Sequence, residues 1–209
     1  MDRQWYNEVN GLSIEEQFNR LYQRKMRLRS EDESLWKSGN PFRNTEALRR
    51  EIPKIFKELG IRSFVDVGCG DFLWLSTIDW TGISYLGIDI VQDLIERNIR
   101  KYPGFNFIKM NAIEKIPSKA DMIFIRSIFI HLGFPDSLKI IENVKKSGST
   151  YMMASTRENK KVNYEPVCLM LQHQNLLRPP FNFPKPLMLI KEMDIKTNNH
   201  MGVWKVNEL

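Results

Sequence analysis

The stretch Phe64-Val65-Asp66-Val67-Gly68-Cys69-Gly70-Asp71-Phe72 decides the fold. It is an apolar, β-prone run that ends in an acid and passes directly into Gly-x-Gly. Glycines at such a point let the backbone turn sharply and approach a ligand closely, at the carboxyl edge of the sheet where open α/β folds bind nucleotides. A strand-to-helix turn that merely needs glycine has the same local pattern, so the segments that follow must decide. About twenty residues on, Tyr85-Leu86-Gly87-Ile88-Asp89-Ile90 ends another apolar run in an acid, the position from which a carboxylate can hold both hydroxyls of a ribose. A buried Asp89 without a partner is costly, so it either grips ribose or caps the helix expected from Val91. Phe107-Ile108-Lys109-Met110-Asn111-Ala112 ends a third run in a polar and then a small residue, suited to the rim of an adenine pocket.

Outward from these segments, short apolar runs alternate with helical spacing. Strands are predicted at Ser63 to Gly68, Ser84 to Ile90, Phe105 to Met110, Ala120 to Arg126, Ser149 to Ser155, Leu187 to Met193 and Met201 to Val206. Helices are predicted at Val91 to Tyr102, Pro135 to Ser147 and Val162 to Leu176. Such alternation implies a Rossmann-like α/β fold, a mostly parallel sheet with helices on both faces. Asp194 to His200 is too short for a helical crossover, so the last two strands form an antiparallel hairpin.

Upstream, Ser13 with Glu16 reads as a capping box, and Ile14, Phe18, Leu21, Tyr22 and Leu28 fall near one stripe of a helix. A polar loop through Glu31 to Ser34 and Ser38 to Pro41 follows. Thr45 can cap a helix that turns Leu48, Ile52, Ile55, Phe56 and Leu59 inward and ends at Gly60, with a kink or restart at Pro53. The chain therefore divides into an N-terminal helical extension and lid over 1–44 and a domain over 45–209.

The 209 residues are 42% hydrophobic and 27% charged, which suits one globular domain with a core. No run approaches the roughly 18 apolar residues of a membrane span, and Met1-Asp2-Arg3-Gln4 lacks the apolar region of a secretory signal, so a cytoplasmic location is expected. Cys69 and Cys168 are too few for a disulfide framework, lack zinc spacing, and are expected to be reduced. The net charge is +6, and much of the basic character lies in Arg20, Arg24, Lys25, Arg27 and Arg29, soon followed by Glu31, Asp32 and Glu33, either a solvated helix face or a polyanion site.

A dinucleotide cofactor wants Gly-x-Gly-x-x-Gly, but the third position holds Leu73. Nor does such a cofactor use Asp66, whereas one bearing a free ammonium does. On Val65-Asp66-Val67-Gly68-Cys69-Gly70, Leu86-Gly87-Ile88-Asp89 and Ala120-Asp121-Met122-Ile123-Phe124-Ile125-Arg126, the chain resembles class I S-adenosylmethionine-dependent methyltransferases over roughly Thr45 to Val206. The resemblance implies that Asp66, Gly68 and Gly70 line the methionine end of S-adenosylmethionine, that Asp89 holds the ribose, and that Asn111 and Ala112 hold the adenine. Asp71, Ile90 and Arg126 join this cofactor-binding set. It also implies seven strands with the last one antiparallel. Within the class the chain is similar to small bacterial methyltransferases with a Cys-Gly-Asp-Phe-x-Trp segment, here Cys69 to Trp74, and a Pro-Pro-Phe-x-x-Pro-x-Pro segment, here Pro179 to Pro186. Some of these occur with polysaccharide genes.

Methyl transfer from a sulfonium chiefly needs alignment and exclusion of water, but an alcohol acceptor must also lose a proton. Of His131, His173 and His200, only His131 follows the fourth strand, near the expected methyl; it is the candidate base, or else it packs in a short helix. Arg126 and Ser127 stand at that strand's end, where Arg126 can grip an anionic group or pair with Asp71 or Asp136. Trp74, Trp80 and Trp36 are either stacking surfaces for the acceptor or core. The stiff Leu177 to Pro186 loop carries Arg178, Phe181 and Phe183, an acceptor wall or a packed connector. Ser38 to Thr45 is a candidate lid. Neither the amine-methylating Asn-Pro-Pro-Tyr tetrad nor the Pro-Cys nucleophile of cytosine methylation is present, and no metal-ligand cluster is evident. The expected function is methylation of a small molecule or glycan, on oxygen. The alternatives are an RNA methyltransferase using the basic N-terminal helix and a catalytically silent cofactor-binding partner protein.

Overall fold

The computed structural model describes residues 3–27, 42–192 and 198–209. Leu28, Arg29, Trp36, the polar loop and all of the candidate lid before Phe42 lie outside the described residues, as does most of the turn between the last two strands.

The capping box forms as expected: Ser13 Oγ accepts the Glu16 N–H, and Glu16 Oε2 accepts the Ser13 N–H at 2.8 Å, which starts helix α2 at Ile14–Met26. A short helix α1, Arg3–Val9, precedes it, and no sequence signal had pointed to that helix. Helix α3, Glu46–Leu59, has Thr45 at its N-cap position without a capping side-chain bond to the helix, and it closes on Gly60 at φ +65°. It neither ends nor restarts at Pro53. The missing N–H deprives one carbonyl of its bond, and burial of Leu48, Ile52, Ile55 and Phe56 offsets the loss, each such side chain contributing about 1.5–3 kcal/mol.

All seven expected strands form, within two residues or so of their expected ends. They are β1 (Ser63–Val67), β2 (Ser84–Asp89), β3 (Asn106–Lys109), β4 (Met122–Ile125), β5 (Tyr151–Thr156), β6 (Met188–Lys191) and β7 (His200–Lys205). Their order is β3-β2-β1-β4-β5-β7-β6. β1 to β5 run parallel, and β7 is antiparallel to both β5 and β6. Helix α4, Gln92–Lys101, and helix α5, Phe134–Lys146, fall where helical spacing puts them. Alternate strand residues feed two cores. Phe64, Tyr85 and Phe124 pack with α3 and with Ile95 of α4, while Val65, Ile123, Ile125 and Met152 pack with Ile140, Ile141 and Val144 of α5. Among the described residues no helix is long and apolar enough to cross a membrane.

Two expectations are corrected. Val162 to Leu176 is not a helix. Pro166 lacks a donor and restricts Glu165, and Cys168 and Leu169 take positive φ. Side-chain amides bind the backbone in place of helical bonds: Asn175 Nδ2 donates to Lys160 O at 2.8 Å, and Asn163 Nδ2 donates to Asn175 O at 2.9 Å. The second correction concerns the proline-rich loop. Phe181 and Phe183 are buried in the α5-side core against Phe129, Phe134 and Trp204, while Arg178 is solvent-exposed, so the loop is a packed connector rather than a wall of the main cavity. Phe181→Ala should therefore cost about 3–5 kcal/mol in urea unfolding and leave ligand affinity of the folded protein unchanged; a variant of unaltered stability with weakened ligand binding would return Phe181 to the site.

Candidate functional site

The carboxyl ends of β1, β2, β3, β4 and β5 open into one cavity of about 580 Å³, within the range of small-molecule sites. Its lining includes Asp66, Gly68, Gly70, Asp71, Asp89, Ile90, Asn111, Ala112, Arg126 and His131. The structure thus brings together every residue expected to hold the cofactor, together with the candidate base. Trp74 also lines it, although the ring is largely core. Arg178, Phe181 and Phe183 do not.

The glycine turn is held from three sides. The N–H groups of Gly68 and Cys69 donate to Ile88 O at 2.8 and 3.0 Å. The Gly70 N–H donates to Asp89 Oδ2 at 3.1 Å, and Asn98 of α4 donates to Gly70 O at 2.7 Å. Gly68 sits at φ +73°, where a Cβ would lie 2.2 Å from Ile128 Cδ1, so both conformation and space demand glycine. Asp89 Oδ1 accepts the Val91 N–H at 3.0 Å, so the capping role read from the sequence is present, and lone pairs remain on both oxygens. Burial raises the Asp89 carboxyl above the usual range, partly countered by those backbone donors. Asn111 Oδ1 accepts the Ile113 N–H at 3.0 Å, which shapes the turn after β3.

Asp66 is 2% exposed, and its Oδ2 accepts the Tyr85 hydroxyl at 2.9 Å. Burial pushes its carboxyl up to about 7, against the lowering effect of Tyr85; nearby Asp89 raises it further and Arg126 lowers it. It is a buried acid poised near neutrality that no cation contacts among the described residues, which suits an ammonium ligand. Burial likewise pushes the Cys69 thiol far up, an inert packing role.

The acid beside Arg126 is neither Asp71 nor Asp136. The Arg126 Nε lies 2.5 Å from Glu192 Oε1, a charge contact without an aligned hydrogen bond, and its Cζ sits 5.2 Å from the Trp74 ring centroid. Asp136 instead faces Lys139 at 3.9 Å. Ser127 takes φ +61° and donates its N–H to Ser155 Oγ, which turns the chain toward His131.

His131 lies in a turn, not a helix, edge-on to Phe18 of α2. Its Nδ1 is 2.9 Å from Leu169 O. A carbonyl only accepts, so Nδ1 carries the proton and Nε2 keeps a lone pair. Burial holds its pKa below the usual value, opposed by the Leu169 bond, so the ring is neutral at pH 7. His173 also reaches the cavity, whereas His200 bonds the chain at Asn198 O outside it.

Sequence reasoning missed three parts of this site. The α2 stripe of Ile14, Phe18, Leu21 and Lys25 walls the cavity, as do Leu169, Leu171 and Gln174 from the segment misread as a helix, and Glu192 and Asn199 beside the last hairpin. The capping box located α2, but no local signal gave its docking direction.

No family model matches the chain, and no curated protein does. Solved structures do. The N-methyltransferase NodS from Bradyrhizobium japonicum WM9, in complex with S-adenosyl-L-homocysteine, superimposes at TM-score 0.63 with 13% identity over 88% of this chain and 97% of that one. Human N-acetylserotonin methyltransferase with S-adenosylmethionine gives 0.61 at 13% identity, over 96% of this chain and 61% of that one. Magnesium protoporphyrin IX methyltransferase from Synechocystis PCC 6803, with bound S-adenosylmethionine, gives 0.55 at 12% identity, over 97% and 94% of the two chains. What the chain shares with them is the Rossmann-like fold with its antiparallel seventh strand.

The Asp66 carboxyl gives a pH signature. Its pKa rises from about 3.9 in the unfolded chain to about 7 in the fold, so the folded state binds the extra proton. The resulting stabilisation is complete below about pH 4 and is lost as pH rises through 7. Relative to Asp66→Asn, the wild-type protein should lose a few kcal/mol of urea-unfolding stability between pH 5 and 8. Parallel stability curves for the two proteins would contradict an acid titrating near neutrality.

Proposed function

We propose that the protein is an S-adenosylmethionine-dependent methyltransferase that acts on an alcohol, in a small molecule or a glycan. The observation that carries this reading is the glycine turn fastened to Asp89 beside the buried Asp66, which bonds the Tyr85 hydroxyl, in the same cavity as a neutral His131. The bound ligands of the structural neighbours support the choice of cofactor.

The residues fit that cofactor. Asp66 suits the methionine ammonium, and the close approach that Gly68 permits suits its backbone. The open lone pairs of Asp89 suit the ribose hydroxyls, and Asn111 with Ala112 suits the adenine. When bound, S-adenosylmethionine supplies an electrophilic methyl: the acceptor oxygen forms the new C–O bond as the C–S bond breaks, its electron pair staying on sulfur. Nε2 of His131 takes the hydroxyl proton, and the Nδ1–H bond to Leu169 O steadies the imidazolium so formed. The α2 stripe excludes water from the His131 side. The basic face of α2 is partly committed to the protein itself, since Arg24 sits over Trp5 at 5.4 Å and Lys25 lines the cavity, which favours the small acceptor over RNA.

Calorimetry should show S-adenosylmethionine and S-adenosylhomocysteine binding in the low micromolar range, about −8 kcal/mol, and no heat with NAD. Asp89→Ala should weaken that binding by about 1.5–3 kcal/mol. NAD binding without a response to S-adenosylmethionine would remove the reading. Once an acceptor is identified by transfer of labelled methyl, His131→Ala should lower kcat about 10²–10⁴-fold and abolish the acid limb of the pH–rate profile, with cofactor affinity unchanged. Retention of that limb would assign the base elsewhere.

A further inference from the structure

The wall of the cavity formed by the last strands and the segment before them carries buried polar atoms that have no match among the described residues. Gln174 is 2% exposed, and its Nε2 donates to Tyr164 O and Gln172 O, both at 2.9 Å. Both partners only accept, so the amide cannot be reversed, and Oε1 is left without a donor. Glu192, 6% exposed just after β6, has Oε1 in charge contact with Arg126 but without an aligned donor. Asn199 Oδ1, just before β7 and joined to Glu192 through the backbone bond from Glu192 N to Asn199 O, is also unmatched, as is Nη2 of Arg126. All four residues line the same cavity. Buried polar groups are ordinarily satisfied, by protein, by ordered water or by ligand, so Gln174 Oε1, Asn199 Oδ1 and Arg126 Nη2, unmatched among the described residues and gathered on one wall with the ion-paired Glu192, describe what a ligand must bring: donors and at least one acceptor.

The charges on this wall narrow the class. Arg126 and Glu192 cancel, and burial keeps the neighbouring rings of His131 and His173 toward the neutral form. Lys25 of α2 acts on His131, and Arg157 and Lys160 act on His173, with Lys160 Nζ donating to His173 O at 2.6 Å, but neither Arg157 nor Lys160 lines the cavity. An anion would meet Glu192 and two amide oxygens; a cation would meet Arg126. A hydroxyl both donates and accepts, so a molecule bearing several hydroxyls fills these positions without net charge and can add a donor to the Glu192 carboxylate.

We propose that Gln174, Glu192, Asn199 and Arg126 form the acceptor subsite, and that it takes a neutral polyhydroxylated molecule, a sugar or a sugar unit of a glycan. This rests on the methyl-transfer reading for its role but not for its existence, and the two can be tested apart. Ligand-observed NMR on the full chain, with and without S-adenosylhomocysteine, would compare the methyl glycosides of glucose, galactose, mannose and rhamnose with glucosamine and glucose 6-phosphate. At least one neutral glycoside should bind with a Kd of about 1–10 mM, and the cationic and anionic sugars should bind about tenfold more weakly. Glu192→Gln leaves the Arg126 charge uncompensated, so it should strengthen glucose 6-phosphate about tenfold and weaken the neutral glycoside about threefold. A fold-damaging change would weaken every probe alike; Asn199→Ala, which removes one carbonyl at the cavity edge, should weaken the neutral glycoside alone. Preference of the wild-type protein for a charged sugar, binding of no probe, or unaltered selectivity in Glu192→Gln would each overturn the proposal. Failure of S-adenosylhomocysteine to bind would remove the methyl-transfer reading, while the glycoside measurement made without it would still decide the subsite.

Discussion

The carboxylate of Asp89 fastens the glycine turn after β1 to the end of β2 and to the start of α4. One oxygen takes the Gly70 N–H and the other the Val91 N–H, while Asn98 on α4 returns to Gly70 O. These bonds satisfy turn donors that have no strand partner, and they fix a stretch in which Gly68 and Gly70 both hold positive φ. The floor of the cavity depends on that closure, because Ile128 occupies the space beside Gly68 that any larger residue would need.

The sheet order explains why one cavity holds two kinds of chemistry. Strand order reverses between β1 and β4, and a crevice opens at such a switch point. On the β1–β2–β3 side stand the carboxylates Asp66, Asp71 and Asp89 and the Asn111 turn; on the β4–β5–β7–β6 side stand Arg126, His131, Gln174, Glu192 and Asn199. The first half is built from residues near one another in sequence. Antiparallel β7 is what assembles the second, because its pairing with β6 sets Lys191 opposite His200 and so places Glu192 beside Asn199.

That difference governs how far the sequence could be read. Strand, acid and glycine turn are local chemistry, so Asp66, Gly68, Gly70, Asp89 and Asn111 were legible from spacing, and the seven strands were legible from their apolar runs. Gln174, Glu192 and Asn199 are single polar residues far apart along the chain, which become a group only through tertiary pairing. Phe181 and Phe183 misled for the same reason, since aromatic residues in a stiff loop do not reveal which layer they enter; here they meet Phe129, Phe134 and Trp204. Between Val162 and Leu176, apolar spacing suggested a helix, but Pro166 and the amides of Asn163, Gln174 and Asn175 offered the backbone a better set of partners.

On the proposed function, the Asp89-fastened turn cradles the nucleoside end of S-adenosylmethionine and directs its sulfur toward His131. A crystal structure of the complex with S-adenosylhomocysteine tests it most directly. The ribose hydroxyls should lie on Asp89, the adenine against Asn111 and Ala112, the amino group at Asp66, and the sulfur facing His131 Nε2. A nucleoside seated instead against Gln174 and Glu192, or a ligand bound outside this cavity, would contradict it.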